Sequence, residues 1–205
     1  ASALNLDIES MVFSNQVHDN RIRVVTEEDR GKGIIKHSDI IGFDGLATNK
    51  RKVALVTFYA DCVPVFLFDP VKTVISIAHS GWRGTVKEIA RVAVRKMKDA
   101  FSCDPKDILA AIGPSIGSCC FEVGDEVYEE FGSSIGWSTK YCERKNGKWY
   151  FDLPAIIKNS LSNEGVKGEN ILLSGICTKC NKDMFFSHRG DNGKTGTLAG
   201  IMMIN

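Results

Sequence analysis

The sequence predicts a single α+β domain in which mixed β-sheets are flanked by helices, and two observations support this. Predicted strands outnumber predicted helices, and the two kinds of element do not alternate regularly, which argues against a doubly wound parallel sheet. The 205 residues are 43% hydrophobic, enough to fill one substantial core. Because there is no repeat, low-complexity tract or linker, we assign one domain to residues 1–205.

The central part of the sequence predicts three buried strands. Residues 53–59 and 64–68 are strongly apolar and are separated by the polar segment Ala60-Asp-Cys62. Residues 73–78 form the third strand and run into His79-Ser-Gly-Trp-Arg-Gly84, whose glycines allow a sharp turn. Both polar segments should therefore lie where a strand opens onto a loop. Three further strands are predicted, at residues 108–112, 171–176 and 198–204.

Helical periodicity appears in three segments. Residues 86–101 place apolar side chains on one face and Lys and Arg on the other, so one helix should begin just after the glycine turn. Residues 124–131 suggest a short acidic helix. A third helix, at 153–161, should be capped by Asp152, with Pro154 tolerated in its first turn.

Composition narrows the class of function. Lys and Arg total 26 against 25 Asp and Glu, so neither a nucleic acid nor a membrane surface is indicated as a partner. The apolar stretches fall short of the roughly 20 residues that a membrane-spanning helix needs. Residues 1–7 lack a basic region followed by an apolar run, so we expect no secretory signal and a cytoplasmic protein. Seven cysteines, an odd number, favour reduced thiols over a full disulfide framework.

The turn after the third strand is a candidate functional site. His79 precedes a glycine turn and a helix amino terminus, where free N–H groups attract anions. Arg83 adds a guanidinium suited to bidentate oxyanion binding, so Gly81 and Arg83 are candidate substrate-binding residues. The alternative is that His79 caps the helix or forms a hydrogen bond in the core.

Two cysteine patterns carry possible chemistry. Three roles are possible for Cys62: an ordinary buried cysteine, a nucleophilic thiolate paired with the imidazole of His79, or a metal ligand together with His79. The residues alone do not choose among the three. Cys177-Thr-Lys-Cys180 has zinc-ligand spacing, but the other candidate half is the adjacent pair Cys119-Cys120, which weakens a four-cysteine reading. No P-loop and no GxGxxG after a strand occur, so ordinary nucleotide sites are not supported.

Several segments together resemble the YfiH-like, laccase-domain proteins, which carry an older polyphenol oxidase label and are regarded as purine nucleoside phosphorylases. The resemblance runs from about Gln16 onward. The segments that carry it are Gln16-Val-His18, Asp44-Gly-Leu-Ala-Thr-Asn49, Thr57-Phe-Tyr-Ala-Asp-Cys-Val-Pro-Val65, Ala78-His-Ser-Gly-Trp-Arg-Gly84, Gly113-Pro-Ser-Ile-Gly117, Phe121-Glu-Val-Gly124, Phe185-Phe-Ser-His-Arg189 and Thr195-Gly-Thr-Leu-Ala-Gly200.

The resemblance implies a fold like that of cytotoxic necrotizing factor toxins and one metal ion held by His18, Cys62 and His79. Zinc is the implied metal, and copper belongs to the older label. The implied activities are phosphorolysis of adenosine, inosine, guanosine and methylthioadenosine, and deamination of adenosine to inosine. Two imidazoles and one thiolate leave a fourth tetrahedral position open, as expected of a catalytic zinc, which lowers the pKa of bound water to about 7. The family usually has a longer region before the Gln-Val-His segment.

Deamination also needs a carboxylate that carries a proton to the leaving ammonia, and Asp61 and Asp44 are the candidates, although each could equally bond to backbone amides in a turn. Three other hypotheses stay open: a copper-dependent phenol oxidase, a metal-free cysteine hydrolase using Cys62 and His79, and a non-enzymatic metal-binding module. A purine nucleoside and phosphate are the expected partners, and the protein could be a monomer or a homodimer.

Overall fold

The computed structural model describes residues 6–205, and the absence of a secretory signal, which was inferred mainly from residues 1–5, falls outside them. The strands are β1 (Met11–Phe13), β2 (Ile22–Val24), β3 (Gly45–Thr48), β4 (Ala54–Tyr59), β5 (Val63–Asp69), β6 (Val74–Ser80), β7 (Leu109–Ile112), β8 (Glu122–Val123), β9 (Cys142–Lys145), β10 (Lys148–Phe151), β11 (Ile171–Leu173) and β12 (Leu198–Met202). The helices are α1 (Trp82–Val86), α2 (Ile89–Phe101), α3 (Asp125–Ser134) and α4 (Leu153–Asn163). This mixture of elements confirms the predicted α+β class.

The largest sheet has six strands in the order β11-β7-β5-β6-β3-β2. Its four central strands are antiparallel to one another, while β2 and β11 pair in parallel with them at the two edges. Two smaller sheets have the orders β1-β4-β12 and β8-β10-β9. The β5–β6 hairpin therefore lies at the centre of the large sheet, which fixes the strand ends that carry the polar segments.

Helix α2 covers this sheet with its apolar face. The buried residues Ile89, Ala93, Val94 and Met97 recur at helical spacing and join the main hydrophobic core together with residues of β5, β6 and α4. A smaller core cluster, centred on Leu46, lies between the large sheet and β4. Burial on both faces holds the hairpin rigidly and with it the loops at its open end.

Most predicted elements are confirmed, and some bounds were wrong. The strands predicted at 53–59, 64–68 and 73–78 are β4, β5 and β6. Asp152 caps α4 as predicted, since its side chain accepts a hydrogen bond from the N–H of Ala155 at 2.9 Å. The strand predicted at 171–176 ends at Leu173, because Gly175 adopts a left-handed conformation with φ of 66°. The last strand ends at Met202.

The single helix predicted from residue 86 is wrong. The chain forms the short helix α1 first, and Glu88, with φ of 54°, redirects the backbone before α2 begins. Thr85 closes α1 by donating its hydroxyl to the carbonyl of Gly81 at 2.9 Å. Across residues 6–205, no helix is long and apolar enough to cross a membrane.

Candidate metal centre

The β5–β6 hairpin brings Cys62 and His79 to the same end of the large sheet. Because the two strands are antiparallel, Val63 lies opposite Ser80 and Pro64 lies opposite His79. Cys62 directly precedes β5, so its side chain lies beside the end of β6. The sequence order of these residues therefore gives a spatial pair.

His18 completes a group of three possible metal ligands. It lies on the loop between β1 and β2, and its Nε2 is 3.9 Å from Sγ of Cys62. Its ring packs edge-on against that of His79, with centroids 4.9 Å apart. One ligand atom from each residue lies within 4.8 Å of the other two. His18 is exposed, Cys62 half-buried and His79 buried, so the group opens to solvent on one side.

One buried carboxylate holds both histidines. Asp44, immediately before β3, accepts hydrogen bonds from the backbone N–H groups of Val17, His18 and Asp19 at 2.9–3.0 Å. The Oδ1 atom of Asp44 also lies 2.8 Å from Nδ1 of His79. These contacts stabilise the left-handed backbone of His18, whose φ is 61°. Asp44 therefore fixes the His18 loop and the His79 ring together.

The hydrogen bond to Asp44 decides which nitrogen of His79 can bind a metal. An ionised carboxylate only accepts, so Nδ1 carries the hydrogen and Nε2 is the nitrogen left for a ligand bond. Burial lowers the pKa of His79, but Asp44 and Cys62 outweigh it and raise this pKa to about 9. Burial raises the pKa of Cys62, but its hydrogen bonds with His18 and His79 outweigh that effect and lower this pKa to about 7.

The three donors fit a zinc-type ion. Two imidazoles and a sulfur with an acidified thiol are the ligands that such an ion prefers, and three protein ligands leave one position for water or substrate. The same donors suit copper, for which two histidines and one cysteine are also a known ligand set. A nucleophilic Cys62 beside His79 is the metal-free alternative.

Gly81 allows the ligands to approach one another. A Cβ atom at this position would lie 2.8 Å from Cδ2 of His18 and 3.0 Å from Sγ of Cys62. Gly81 is buried, and its φ of −71° is open to any residue. The glycine is therefore required by space and not by backbone conformation, and its closest contacts are with the ligand side chains.

Asp61 is buried beside Cys62 with both carboxylate oxygens engaged. Oδ1 accepts from the hydroxyl of Thr178 at 2.7 Å, and Oδ2 accepts from the N–H of Arg189 at 2.6 Å. Its backbone is left-handed, with φ of 80°. Asp61 and Asp44 thus both hold backbone in place, and these contacts argue against either as a ready proton carrier.

His18 and Cys62 line a cleft of about 340 Å³, and the buried His79 has a ligand atom within 4.8 Å of theirs. Trp82 and Arg83 line one side, and the guanidinium of Arg83 stacks over the Trp82 ring at 4.3 Å. The side chain of Arg83 is exposed, and this stacking is the contact that its guanidinium makes in the described residues. The helix beside it begins at Trp82, within the glycine turn and not just after it as predicted, and it has only five residues.

The cleft also contains residues that were not singled out as site residues. Phe121, His188 and Arg189 line the cleft, and Arg189 donates to the carbonyl of Glu122 at 2.8 Å. Two of the segments that carry the family resemblance, Phe121-Glu-Val-Gly124 and Phe185-Phe-Ser-His-Arg189, already contained them. Membership of these segments was the signal in the sequence that could have identified Phe121, His188 and Arg189 as site residues.

Comparisons with known proteins agree with this architecture. Residues 1–205 match the family described as "Multi-copper polyphenol oxidoreductase laccase". The chain is 39% identical over 204 residues to "Purine nucleoside phosphorylase YlmD" of Bacillus subtilis strain 168, covering 98% of this chain and 73% of the relative. It is 35% identical over 206 residues to "Adenosine deaminase RL5" of an unknown prokaryotic organism, covering 98% and 78% of the two chains.

A solved structure is also similar. The crystal structure of the Bacillus licheniformis hypothetical protein YfiH superposes with a TM-score of 0.95 at 36% identity, covering all of this chain and 78% of the other. Sequence and fold agree over the same residues, and the family match spans the full 205. The chain therefore belongs to the laccase-domain family described as multi-copper polyphenol oxidoreductase laccase.

Proposed function

We propose that this protein is a metal-dependent purine nucleoside enzyme. Its reactions would be the phosphorolysis of adenosine, inosine, guanosine and methylthioadenosine, and the deamination of adenosine to inosine. The observation that carries the proposal is the group His18, Cys62 and His79, two members of which, His18 and Cys62, line a cleft large enough for a nucleoside. The names of two relatives, a purine nucleoside phosphorylase and an adenosine deaminase, support both activities.

His18, Cys62 and His79 would hold the metal, and zinc is the ion that we propose. When bound, such an ion supplies Lewis-acid activation of water at neutral pH. By accepting the hydrogen bond from Nδ1, Asp44 would leave Nε2 of His79 free to bind the ion, and it holds the His18 loop in place. The site is therefore prepared by the chain before substrate enters.

The walls of the cleft would bind the substrate. Arg83 and Arg189 both line the cleft and offer positive charge to phosphate, and phosphorolysis needs phosphate held beside the ribose. Phe121 and Trp82 present aromatic surface on which a purine can stack. His188 also lines the cleft and is not one of the three proposed metal ligands. Because an imidazole can both donate and accept a proton, we assign His188 the proton transfer in deamination.

A copper-dependent phenol oxidase is the second candidate, and the family description favours it. Reduction of dioxygen to water normally uses several coppers with histidine-rich ligands. Among the described residues, the groups able to hold a metal are this one and a group of four cysteines, which is a poor match for that chemistry. We therefore rank it below the nucleoside enzyme.

The test is incubation of the purified protein with adenosine, with and without phosphate, followed by chromatography. Adenine formed only with phosphate, and inosine formed without it, are the expected products. Cys62→Ala should abolish both while circular dichroism stays unchanged, and Cys142→Ala, at a half-buried cysteine outside the cleft, is the control. Phenol oxidation with bound copper and no nucleoside turnover would overturn the proposal, and full turnover by metal-free protein would favour the cysteine hydrolase.

A further inference from the structure

Four cysteines form a second cluster outside the three-ligand group. Cys119 and Cys120 lie on the loop between β7 and β8, and Cys177 and Cys180 follow β11. Their sulfur atoms all lie within 4.8 Å of one another, although the two pairs are at least 57 positions apart in the chain. Cys180 is 3.6 Å from Cys119 and 3.5 Å from Cys120, measured between Sγ atoms.

Backbone pairing brings the two loops together. Ser115 and Cys177 form a parallel bridge, in which the N–H of Thr178 donates to the carbonyl of Ser115 at 2.9 Å. The N–H of Gly117 donates to Sγ of Cys177 at 3.3 Å, as backbone amides do to the sulfur of a metal-bound cysteine. The cluster is thus built by the fold and does not depend on chance proximity of exposed side chains.

The spacing of the sulfur atoms distinguishes a metal site from a disulfide. A disulfide requires sulfurs about 2.05 Å apart. Four sulfurs arranged tetrahedrally around an ion at about 2.3 Å would be about 3.8 Å from one another. The separations of Cys180 from Cys120 and Cys119, 3.5 and 3.6 Å, are close to the second value.

We propose that Cys119, Cys120, Cys177 and Cys180 bind one structural zinc ion as four thiolates. Four protein ligands fill a tetrahedral shell and leave no position for water or substrate, unlike the three-ligand group. Each thiol gives up its proton when its sulfur binds the ion, and no electrons are transferred. Cys119 and Cys180 are exposed, which provides an entry path for the metal.

The position of this cluster suggests what the ion would stabilise. Thr178, between the second pair of cysteines, donates to the carboxylate of Asp61, and the N–H of Ile116 donates to the carbonyl of Asp61 at 2.9 Å. Asp61 directly precedes Cys62, and Ile116 and Phe121 line the cleft. The four-cysteine site would therefore fasten the loops that form one wall of the cleft.

Metal counting after zinc loading and dialysis tests the proposal, and it is independent of the proposed function. The wild-type chain should hold about two zinc ions, and Cys62→Ala and Cys180→Ser about one each. Cys142→Ser should still hold about two, because this cysteine lies outside both groups. One zinc ion in the wild type, lost with Cys62→Ala and kept with Cys180→Ser, would overturn the second site.

Two further readouts follow, and the second uses the wild-type protein, which covers the case in which a variant fails to fold. In Cys62→Ala loaded with cobalt(II), the absorption spectrum should show the thiolate charge-transfer and ligand-field bands of tetrahedral sulfur coordination. In the wild-type protein, alkylation followed by mass spectrometry should find the four cysteines protected until a chelator is added. Free alkylation before chelation, or a Cys120–Cys180 disulfide in protein purified under reducing conditions, would overturn the proposal.

Discussion

His79 and Asp44 are joined twice, once through their side chains and once through the backbone. Nδ1 of His79 lies 2.8 Å from Oδ1 of Asp44, and the N–H of His79 donates to the carbonyl of Asp44 at 2.7 Å. The backbone link continues the pairing of β3 with β6, while the side-chain link aims the imidazole. Because the same carboxylate holds the backbone of His18, two of the three proposed ligands depend on one buried side chain.

Asp44→Asn should weaken metal binding about 10- to 100-fold. All four groups that contact the carboxylate are hydrogen-bond donors. In asparagine, one carboxylate oxygen is replaced by an NH₂ group, so the N–H groups that donated to that oxygen would lose their acceptor. Competition with a chromophoric chelator measures the loss. Asp39→Asn, at an exposed carboxylate outside the site, should leave affinity unchanged. Equal affinity in Asp44→Asn would show that this carboxylate does not position the ligands.

Gly81→Ala should lower metal occupancy and turnover while the fold is kept. The added methyl group would lie 2.8 Å from the ring of His18 and 3.0 Å from the sulfur of Cys62, so one ligand must move. We expect a loss of affinity of at least about tenfold, since displacing the groups that position a metal ligand typically costs that much. Gly168→Ala is the control, because a Cβ there meets nothing within 4 Å. A fully loaded, fully active Gly81→Ala protein would contradict the role of this glycine.

Arg83→Ala should impair phosphorolysis more than deamination. Loss of one charge-assisted hydrogen bond to phosphate, about 1.5–3 kcal/mol, should raise the KM for phosphate about 10- to 100-fold. Phosphate-independent formation of inosine should change little. Arg144→Ala is a matched control, because Arg144 also stacks on a tryptophan ring, that of Trp149, but does not line the cleft. An unaltered KM for phosphate in Arg83→Ala would exclude Arg83 from the phosphate site.

Metal affinity at the three-ligand group should rise with pH. The ion needs Nε2 of His79 free of its proton, and Asp44 and Cys62 raise the pKa of this histidine to about 9. The thiol of Cys62, with a pKa of about 7, is largely ionised above that pH. Metal binding therefore displaces one proton, from His79, between pH 7 and 9, and two protons, from His79 and Cys62, below pH 7. Affinity should fall about tenfold per pH unit from pH 9 to 7, and more steeply below pH 7.

Calorimetry in two buffers of different ionisation enthalpy counts the protons released at pH 8, where about one per ion is expected. Asp44→Asn removes a cause of the raised pKa of His79, so its affinity should depend less on pH over the same range. An affinity that is flat between pH 7 and 9 in the wild-type protein would show that His79 binds no metal.

Local patterns predicted the elements that form the centre of the fold. The β5–β6 hairpin follows from two apolar runs, and the helical period after residue 86 identified most of α2. The break at Glu88 could not be predicted, because neither glycine nor proline marks it and only the left-handed backbone reveals it. Short strands such as β2 and β3 escaped prediction, since tertiary pairing and not local propensity decides them.

The site was predictable only in part for the same reason. The resemblance to a family named His18, Cys62 and His79, but the role of Asp44 depends on a contact between residues 35 positions apart. Asp44 had been considered as a proton carrier, whereas its four bonds to N–H groups make it an anchor. The closing of the four cysteines into one cluster likewise depends on a bridge between Ser115 and Cys177 that no local pattern encodes.

Residues that form the cleft come from two separate parts of the sequence, one early and one late in the chain. His18, Asp44, Cys62 and His79, with the hydrogen bonds that fix them, all lie before α1. The cleft residues His188 and Arg189 follow β11. During synthesis on the ribosome, all three proposed ligands would be present in the chain before His188 and Arg189 had been added. Metal binding can therefore precede completion of the cleft.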